Sequence, residues 1–287
     1  MSRRWLRPIC VHLWPSVFIC VPVLCFCSYS ALDRSLADAA ELTARVGLDG
    51  LEVTAHPPHL DPADGIEAAR AAGRAVRAAG IPVVAYGSYL GRYGQVTTAD
   101  AVRAAAIAAA LQTPLLRVWA EPIPEGNADR APCVALLRAA CDAAAADGIT
   151  VVIERHLGSF ADTAENIVRL LDAIDRPNVA LNYQVLDFLP MDDAASQPAD
   201  AERLAPLACY FHLKNYQPNS EGGPMLPGGG LATGALDYRA ILTAAVRAGY
   251  RAPFTIEFLA ADERPVETKL AADAAFVRGV LAGLDVE

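Results

Sequence analysis

A chain of 287 residues that is 54% hydrophobic has the material for one large core, and α/β barrels reach this size as one domain. Its 24 Lys and Arg stand against 33 Asp and Glu, a formal charge of -9, which repels polyphosphate backbones and excludes nucleic acid as an expected partner. The seven cysteines include no CxxC pair of the kind that builds a thiolate zinc site.

The first thirty residues allow three readings. Arg3, Arg4 and Arg7 precede an apolar run from Ile9 to Cys27, and Ser28-Tyr29-Ser30 offers small residues for cleavage, the outline of a secretory signal. A start further downstream is the second reading, and a retained segment the third. His12, Pro15 and Pro22 would interrupt a lone helix in lipid, so no stable membrane span is expected.

From Leu32 onward helix-period and strand-period runs trade places at each Gly or Pro. Helix 36–46 precedes strand 50–54, helix 64–79 precedes strand 81–86, and helix 100–111 precedes strand 115–119. Helix 133–146 stops at Asp147-Gly148 before strand 150–154, because glycine readily takes the left-handed turn that ends a helix. Helix 163–174 leads to strand 179–184, helix 198–205 to strand 209–214, and a glycine-rich loop follows from Gly222 to Gly234. The last unit is helix 238–248, strand 253–258 and a closing helix from Val266.

That makes seven strands after Ala31, each fed by a helix, and a closed barrel needs an eighth. The candidate is 21–26, inside the N-terminal apolar run, so strand number favours retention of that segment. The expected organisation is an apolar extension over 1–20 and a single (β/α)8 barrel over 21–287, with cytoplasmic residence. An open Rossmann-like sheet would carry a phosphate-cradling glycine turn after an early strand, and none is present.

Active sites of such barrels form at the carboxyl ends of the strands. Strand five ends Ile153-Glu154-Arg155-His156, strand six Tyr183-Gln184, strand seven carries His212 and Lys214, and strand eight ends Ile256-Glu257. Glu154, Gln184, His212 and Glu257 together make a mostly oxygen donor set suited to Mg²⁺ or Mn²⁺, with Co²⁺ or Zn²⁺ as further options. Such an ion polarises a ketose carbonyl, and Glu154 and Glu257 can then remove and return protons beside it.

Each residue has a plainer competitor. A strand-end Glu can pair with a barrel Arg, and a lone histidine such as His212 is commonly a satisfied core residue; their joint placement on neighbouring strands favours function. His156 could bind a substrate hydroxyl or hydrogen-bond the backbone, and Lys214 could hold a phosphate or hydroxyl or stay solvated. Arg117 and Trp119 share a face of strand four, where Trp119 could wall a sugar ring or simply pack. Glu52, His56 and His59 near strand two carry weaker signals.

With these residues in view, the chain resembles the sugar phosphate isomerase/epimerase family of xylose isomerase-like TIM barrels, from Leu32 to its end. The landmarks are Gly47-Leu48-Asp49-Gly50-Leu51-Glu52, Ile153-Glu154-Arg155-His156, Phe211-His212-Leu213-Lys214-Asn215, and Gly249-Tyr250 ahead of Thr255-Ile256-Glu257. The resemblance implies metal ligands on strands five to eight, which fall on Glu154, Gln184, His212 and Glu257. It departs from the family at strand six, where Gln184 and Asp187 replace an Asp with a His three residues later, and at Asn215, where Asp is commoner after the lysine.

The implied function is a metal-dependent sugar or sugar phosphate isomerase or epimerase acting on a ketose or keto-sugar derivative. A lyase of the inosose dehydratase or keto-glycoside lyase type, and a non-catalytic barrel with a decayed metal site, are the alternatives. The expected partner is a small sugar-like substrate, and homo-oligomers are common among such barrels. The related apurinic endonucleases need many histidine ligands and an affinity for DNA, which five histidines and an acidic chain do not supply.

Overall fold

The computed structural model describes residues 23–284, so the expected extension over 1–20 lies outside the described residues. The barrel strands are β1 (Leu24–Cys27), β2 (Gly50–Thr54), β3 (Val83–Gly87), β4 (Leu115–Val118), β5 (Thr150–Glu154), β6 (Val179–Tyr183), β7 (Ala208–Leu213) and β10 (Phe254–Ile256). They pair in parallel and close in the order β1-β10-β7-β6-β5-β4-β3-β2. The segment expected as strand one is thus β1, bonded to β10 on one side and β2 on the other. Cleavage after Ser30 would remove it and leave both neighbours as open edges.

Successive residues of a strand face opposite sides. Leu24, Phe26, Leu51, Val53, Val151, Ile153, Phe211, Leu213, Phe254 and Ile256 face outward, in the layer between barrel and helices. The inward set starts apolar, with Val23, Cys25, Val84, Ala85, Leu115, Val152, Ala180, Cys209 and Tyr210 filling the lower lumen; register shifts at Val84 and Cys209 let the consecutive pairs Val84-Ala85 and Cys209-Tyr210 join it. Two residues further along, the same ladders turn polar: Val152 leads to Glu154, Ala180 to Asn182 and Gln184, Tyr210 to His212 and Lys214, Leu115 to Arg117. The barrel therefore has an apolar plug and a polar upper floor, set by a two-residue repeat.

The helices α1 (Leu36–Arg45), α2 (Gly65–Ala78), α3 (Thr98–Leu111), α4 (Ala131–Ala145), α5 (Ala164–Ile174), α6 (Gln197–Leu204), α7 (Tyr238–Arg247) and α8 (Val266–Ala282) cover the strands. The α5 helix shows why: Ile167, Leu170, Leu171 and Ile174 repeat at helical spacing and are all buried. Burying each such side chain contributes roughly 1.5–3 kcal/mol. Thr163 caps its start by accepting the Asn166 N–H, and Asp175 ends it in the left-handed region.

One element differs from the sequence reading. The stretch expected as a loop holds an antiparallel hairpin, β8 (Asn215–Gln217) with β9 (Leu226–Gly229). Gly229 makes this pairing possible, since a Cβ there would stand 2.2 Å from the Tyr216 carbonyl oxygen. Asn215 explains its departure from the commoner aspartate: its Nδ2 donates to the carbonyls of Gly230, Leu231 and Leu236, which a carboxylate cannot do. Among the described residues, no helix is long and apolar enough to cross a membrane.

Candidate active site

The polar floor is one connected charge network. Arg117, buried at 3% exposure, donates its Nε to Glu52 Oε1 at 3.0 Å and its Nη1 to Glu154. Glu52 accepts further from Tyr210 Oη at 2.9 Å and faces His212 Nε2 at 2.7 Å. His212 Nδ1 stands 3.4 Å from Glu257 Oε2. Lys214 Nζ lies 2.9 Å from Asp187 and 3.9 Å from Glu257, and within electrostatic reach of Glu154.

Burial pushes the His212 imidazole down, but Glu257 and Glu52 outweigh it and hold its pKa at about 10. Burial pushes Glu257 up, yet His212, Lys214 and Arg117 bring it to about 2, so it is ionised throughout the physiological range. Burial likewise raises Glu52, and His212 and Arg117 overcome that to leave it below its ordinary value. A cation on His212 Nδ1 would have to displace a proton.

The four residues expected to hold a metal line this mouth, with a correction to how they meet. Among the described residues, no three His, Cys, Asp or Glu side chains converge closely enough to hold a metal ion. Arg117 draws Glu154 toward Glu52, and Gln184 turns its Nε2, not its carbonyl oxygen, onto Glu154 Oε1 and the Arg155 carbonyl, each at 2.8 Å. The donor chemistry nevertheless fits a divalent cation. Gln184 Oε1 is a buried oxygen that accepts no hydrogen bond, Glu257 Oε2 meets only the long contacts of His212 and Lys214, and Glu52 orients the imidazole of His212 from behind.

The residues expected to bind substrate divide. Arg117 is committed to two carboxylates and braces the floor. Lys214 is neutralised by Asp187, which also accepts from Tyr216 Oη at 2.6 Å, so the loop position of Asp187 carries a definite role. His156 and Trp119 meet at the wall, ring centroids 4.9 Å apart, and Trp119 Nε1 donates to the Ser88 carbonyl at 3.0 Å. His59 faces inward to the Arg34 carbonyl at 3.1 Å and packs as a core residue. The sequence reading underweighted Glu52 and passed over Tyr210 and Asn182; their signal was the inward ladder they share with Gly50, His212 and Gln184.

Residues 40–280 match the sequence pattern of the xylose isomerase-like TIM barrel family. The chain belongs to that family. A 3-dehydroshikimate dehydratase of Bacillus anthracis is 31% identical over 97 residues, 32% of this chain and 34% of that protein. The match thus spans about a third of the curated relative's length. A xylose isomerase-like barrel protein of Mycobacterium smegmatis, in complex with magnesium, superposes with TM-score 0.68 at 17% identity, over 92% of this chain and 97% of that one. A 3-keto-D-glucoside 4-epimerase of E. coli gives TM-score 0.66 at 16% identity, over 90% and 99%. At these identities the likeness concerns the fold. The comparisons agree with the expected barrel and family.

Proposed function

We propose that this xylose isomerase-like barrel isomerises or epimerises a keto-sugar or related polyhydroxy carbonyl compound by moving a proton beside the carbonyl. The observation that carries the reading is the placement of two buried carboxylates, Glu154 and Glu257, on β5 and beyond β10, both within reach of the same cations, Arg117 and Lys214. One carboxylate takes the proton from the carbon next to the carbonyl, the C–H electron pair forms the carbon–carbon double bond of the enediolate, and the carbonyl π pair moves onto the oxygen. Lys214, drawn from Asp187, would donate to that oxygen as charge develops. Return of the proton to the former carbonyl carbon, with the hydroxyl proton passing from the neighbouring oxygen to the former carbonyl oxygen, gives an isomer; delivery of a proton from the second carboxylate to the opposite face of the original carbon gives an epimer.

Glu154, Gln184, His212 and Glu257 are the residues that would hold a divalent cation, with Glu52 fixing His212 from behind. When bound, Mg²⁺ or Mn²⁺ would supply Lewis-acid polarisation of the carbonyl and its neighbouring hydroxyl. His212, Lys214 and Arg117 keep Glu257 ionised and so suited to ligation, and its basicity would rise if substrate drew Lys214 or His212 away.

The likeness to a 3-dehydroshikimate dehydratase favours a second outcome of the same proton removal. The enolate electron pair can expel a hydroxide from the β-carbon, which leaves as water with a proton from the enzyme. Incubation with a panel of keto-sugars and cyclic hydroxyketones in D₂O with Mg²⁺ or Mn²⁺, read by NMR, tests both. Deuterium at the carbon beside the carbonyl, lost in Glu257→Gln, is expected, and the product separates isomer from dehydration. No exchange on any member of the panel would remove the proposal.

A further inference from the structure

Two features beside the charged floor are suited to an anion, and each already holds a carboxylate of the chain itself. The first is Lys214, buried beyond β7, whose Nζ lies 2.9 Å from Asp187 Oδ1 and 3.1 Å from its Oδ2. His156 Nε2 faces the same carboxylate at 3.5 Å. Asp187 is held in that place. Its Oδ1 accepts from Tyr216 Oη at 2.6 Å. The chain just beyond it is tied to the hairpin, where the Met225 N–H donates to the Leu189 carbonyl at 2.9 Å and an isolated bridge joins Pro190 to Pro224.

The second is the run Gly228-Gly229-Gly230 at the end of β9. Barrels of this architecture frequently grip phosphate with the loops after their last two strands and a helix N-terminus, and glycine-rich backbone offers its N–H groups to anions. Here the Leu231 N–H that follows the run donates to Asp273 Oδ1 of α8 at 2.9 Å, and Asp273 is buried. The connection from the last barrel strand into α8 is acidic as well. It carries Asp262 and Glu263, Arg264 is paired with Asp262 at 2.6 Å, and Glu267 stands in the first turn of the helix, where it answers the helix dipole. Arg117 and Arg92 are paired in the same manner, with Glu52 and Glu154 and with Glu121.

We propose that the substrate of this site is uncharged, and that Asp187 enforces this by occupying Lys214 in place of a substrate phosphate or carboxylate. The inference rests on the proposed reading of the floor as a site for a polyhydroxy carbonyl compound, and narrows it to compounds without an anionic group. An incoming anion must push a like charge off its cation before it gains a contact. A hydroxyl has no such conflict, because it can accept from the Lys214 ammonium and donate to the Asp187 carboxylate at once. Asp187 is not among the residues that would hold a divalent cation, so its hold on Lys214 does not depend on metal loading.

Titration calorimetry of the full chain in a phosphate-free buffer tests this, with fructose, tagatose and an inosose against fructose 6-phosphate, tagatose 6-phosphate and 5-ketogluconate. In the wild type at least one uncharged compound is expected to bind, and its anionic counterparts about tenfold more weakly. Asp187→Asn keeps the side-chain size and an oxygen for Tyr216 while releasing Lys214. It should tighten at least one anionic ligand by about tenfold or more, the usual worth of a hydrogen bond to a charged group, and leave the uncharged ligands no tighter. Lys214→Gln in the Asp187→Asn background should remove that gain, which a general loosening of the fold would not do. Should Asp187→Asn not fold, Tyr216→Phe, which cuts the tether and keeps the charge, should tighten the same ligand by a smaller factor. Binding of no uncharged compound, an anionic ligand that wild type binds as tightly as its uncharged counterpart, or unaltered selectivity in the variants overturns the inference. Deuterium exchange on an anionic ketose that outbinds its uncharged counterpart removes this inference alone, whereas preference for uncharged compounds without exchange on any of them removes the proposed reaction alone.

Discussion

Replacing Arg117 with methionine keeps much of the side-chain volume and removes the charge between Glu52 and Glu154. Two carboxylates that share one guanidinium stand roughly 5–6 Å apart, so their repulsion at an effective dielectric near 20 is about 3 kcal/mol. Loss of one partner of a buried ion pair costs about 3–5 kcal/mol by general experience, in agreement with that figure. For 287 residues the unfolding entropy is about 0.6 kcal/mol per degree, so the melting temperature should fall by roughly 5–8 °C. The assay is chemical and thermal unfolding in the presence of a chelator, for wild type, Arg117→Met, Glu52→Gln and the double variant. Glu52→Gln should recover much of the loss in the Arg117→Met background, because one of the stranded charges is gone. Added Mn²⁺ should stabilise Arg117→Met more than wild type, since the guanidinium no longer competes for Glu154. A loss under 1 kcal/mol, or strict additivity of the two substitutions, would refute the description of the floor as one coupled network.

Glu52→Gln by itself should lower Mn²⁺ affinity by about 10–100-fold, the usual effect of removing a carboxylate that orients a ligating imidazole, as read by calorimetry. Unchanged affinity would reduce Glu52 to a structural ion pair. Gly87→Ala should cost about 1–3 kcal/mol in urea unfolding, because the new Cβ would stand 2.4 Å from Glu52 Oε1 and 2.7 Å from Arg117 Nη2; a neutral result would show that the bridge has room to move. Asp273 gives a pH test. Burial pushes its carboxyl up to about 6, while its Oδ1 accepts the Leu231 N–H at 2.9 Å. Between about pH 4 and 6 the native chain therefore holds a proton that the unfolded chain has released, and stability falls as pH rises through that window. Asp273→Asn should add up to about 3 kcal/mol at pH 7.5 and little at pH 4. An equal gain at both values would rule out titration as its cause.

The barrel was legible in the sequence because its two repeats are local. Glu154 follows Val152 and His212 follows Tyr210 on one face of a strand, so a two-residue period already places the charged groups above the apolar plug. The helices show as clearly, with Ile167, Leu170, Leu171 and Ile174 on one stripe. Counting strands was enough to draw β1 out of an apolar run that looks like a signal. What the chain alone left open was which polar group meets which. Arg117 lies 65 residues from Glu52 and 37 from Glu154, and no local pattern says that its guanidinium will bridge both. Gln184 reads equally well as an oxygen donor and as a nitrogen donor; the Arg155 carbonyl beside it turns its NH₂ inward to Glu154. Tyr29 after the first strand meets Phe258 after the last, ring centroids 5.7 Å apart, a contact that exists only once the barrel closes. Side-chain periodicity is a property of a few consecutive residues, whereas the pairing of buried charges and the meeting of loop tips depend on closure of the whole ring, and tertiary structure decided those.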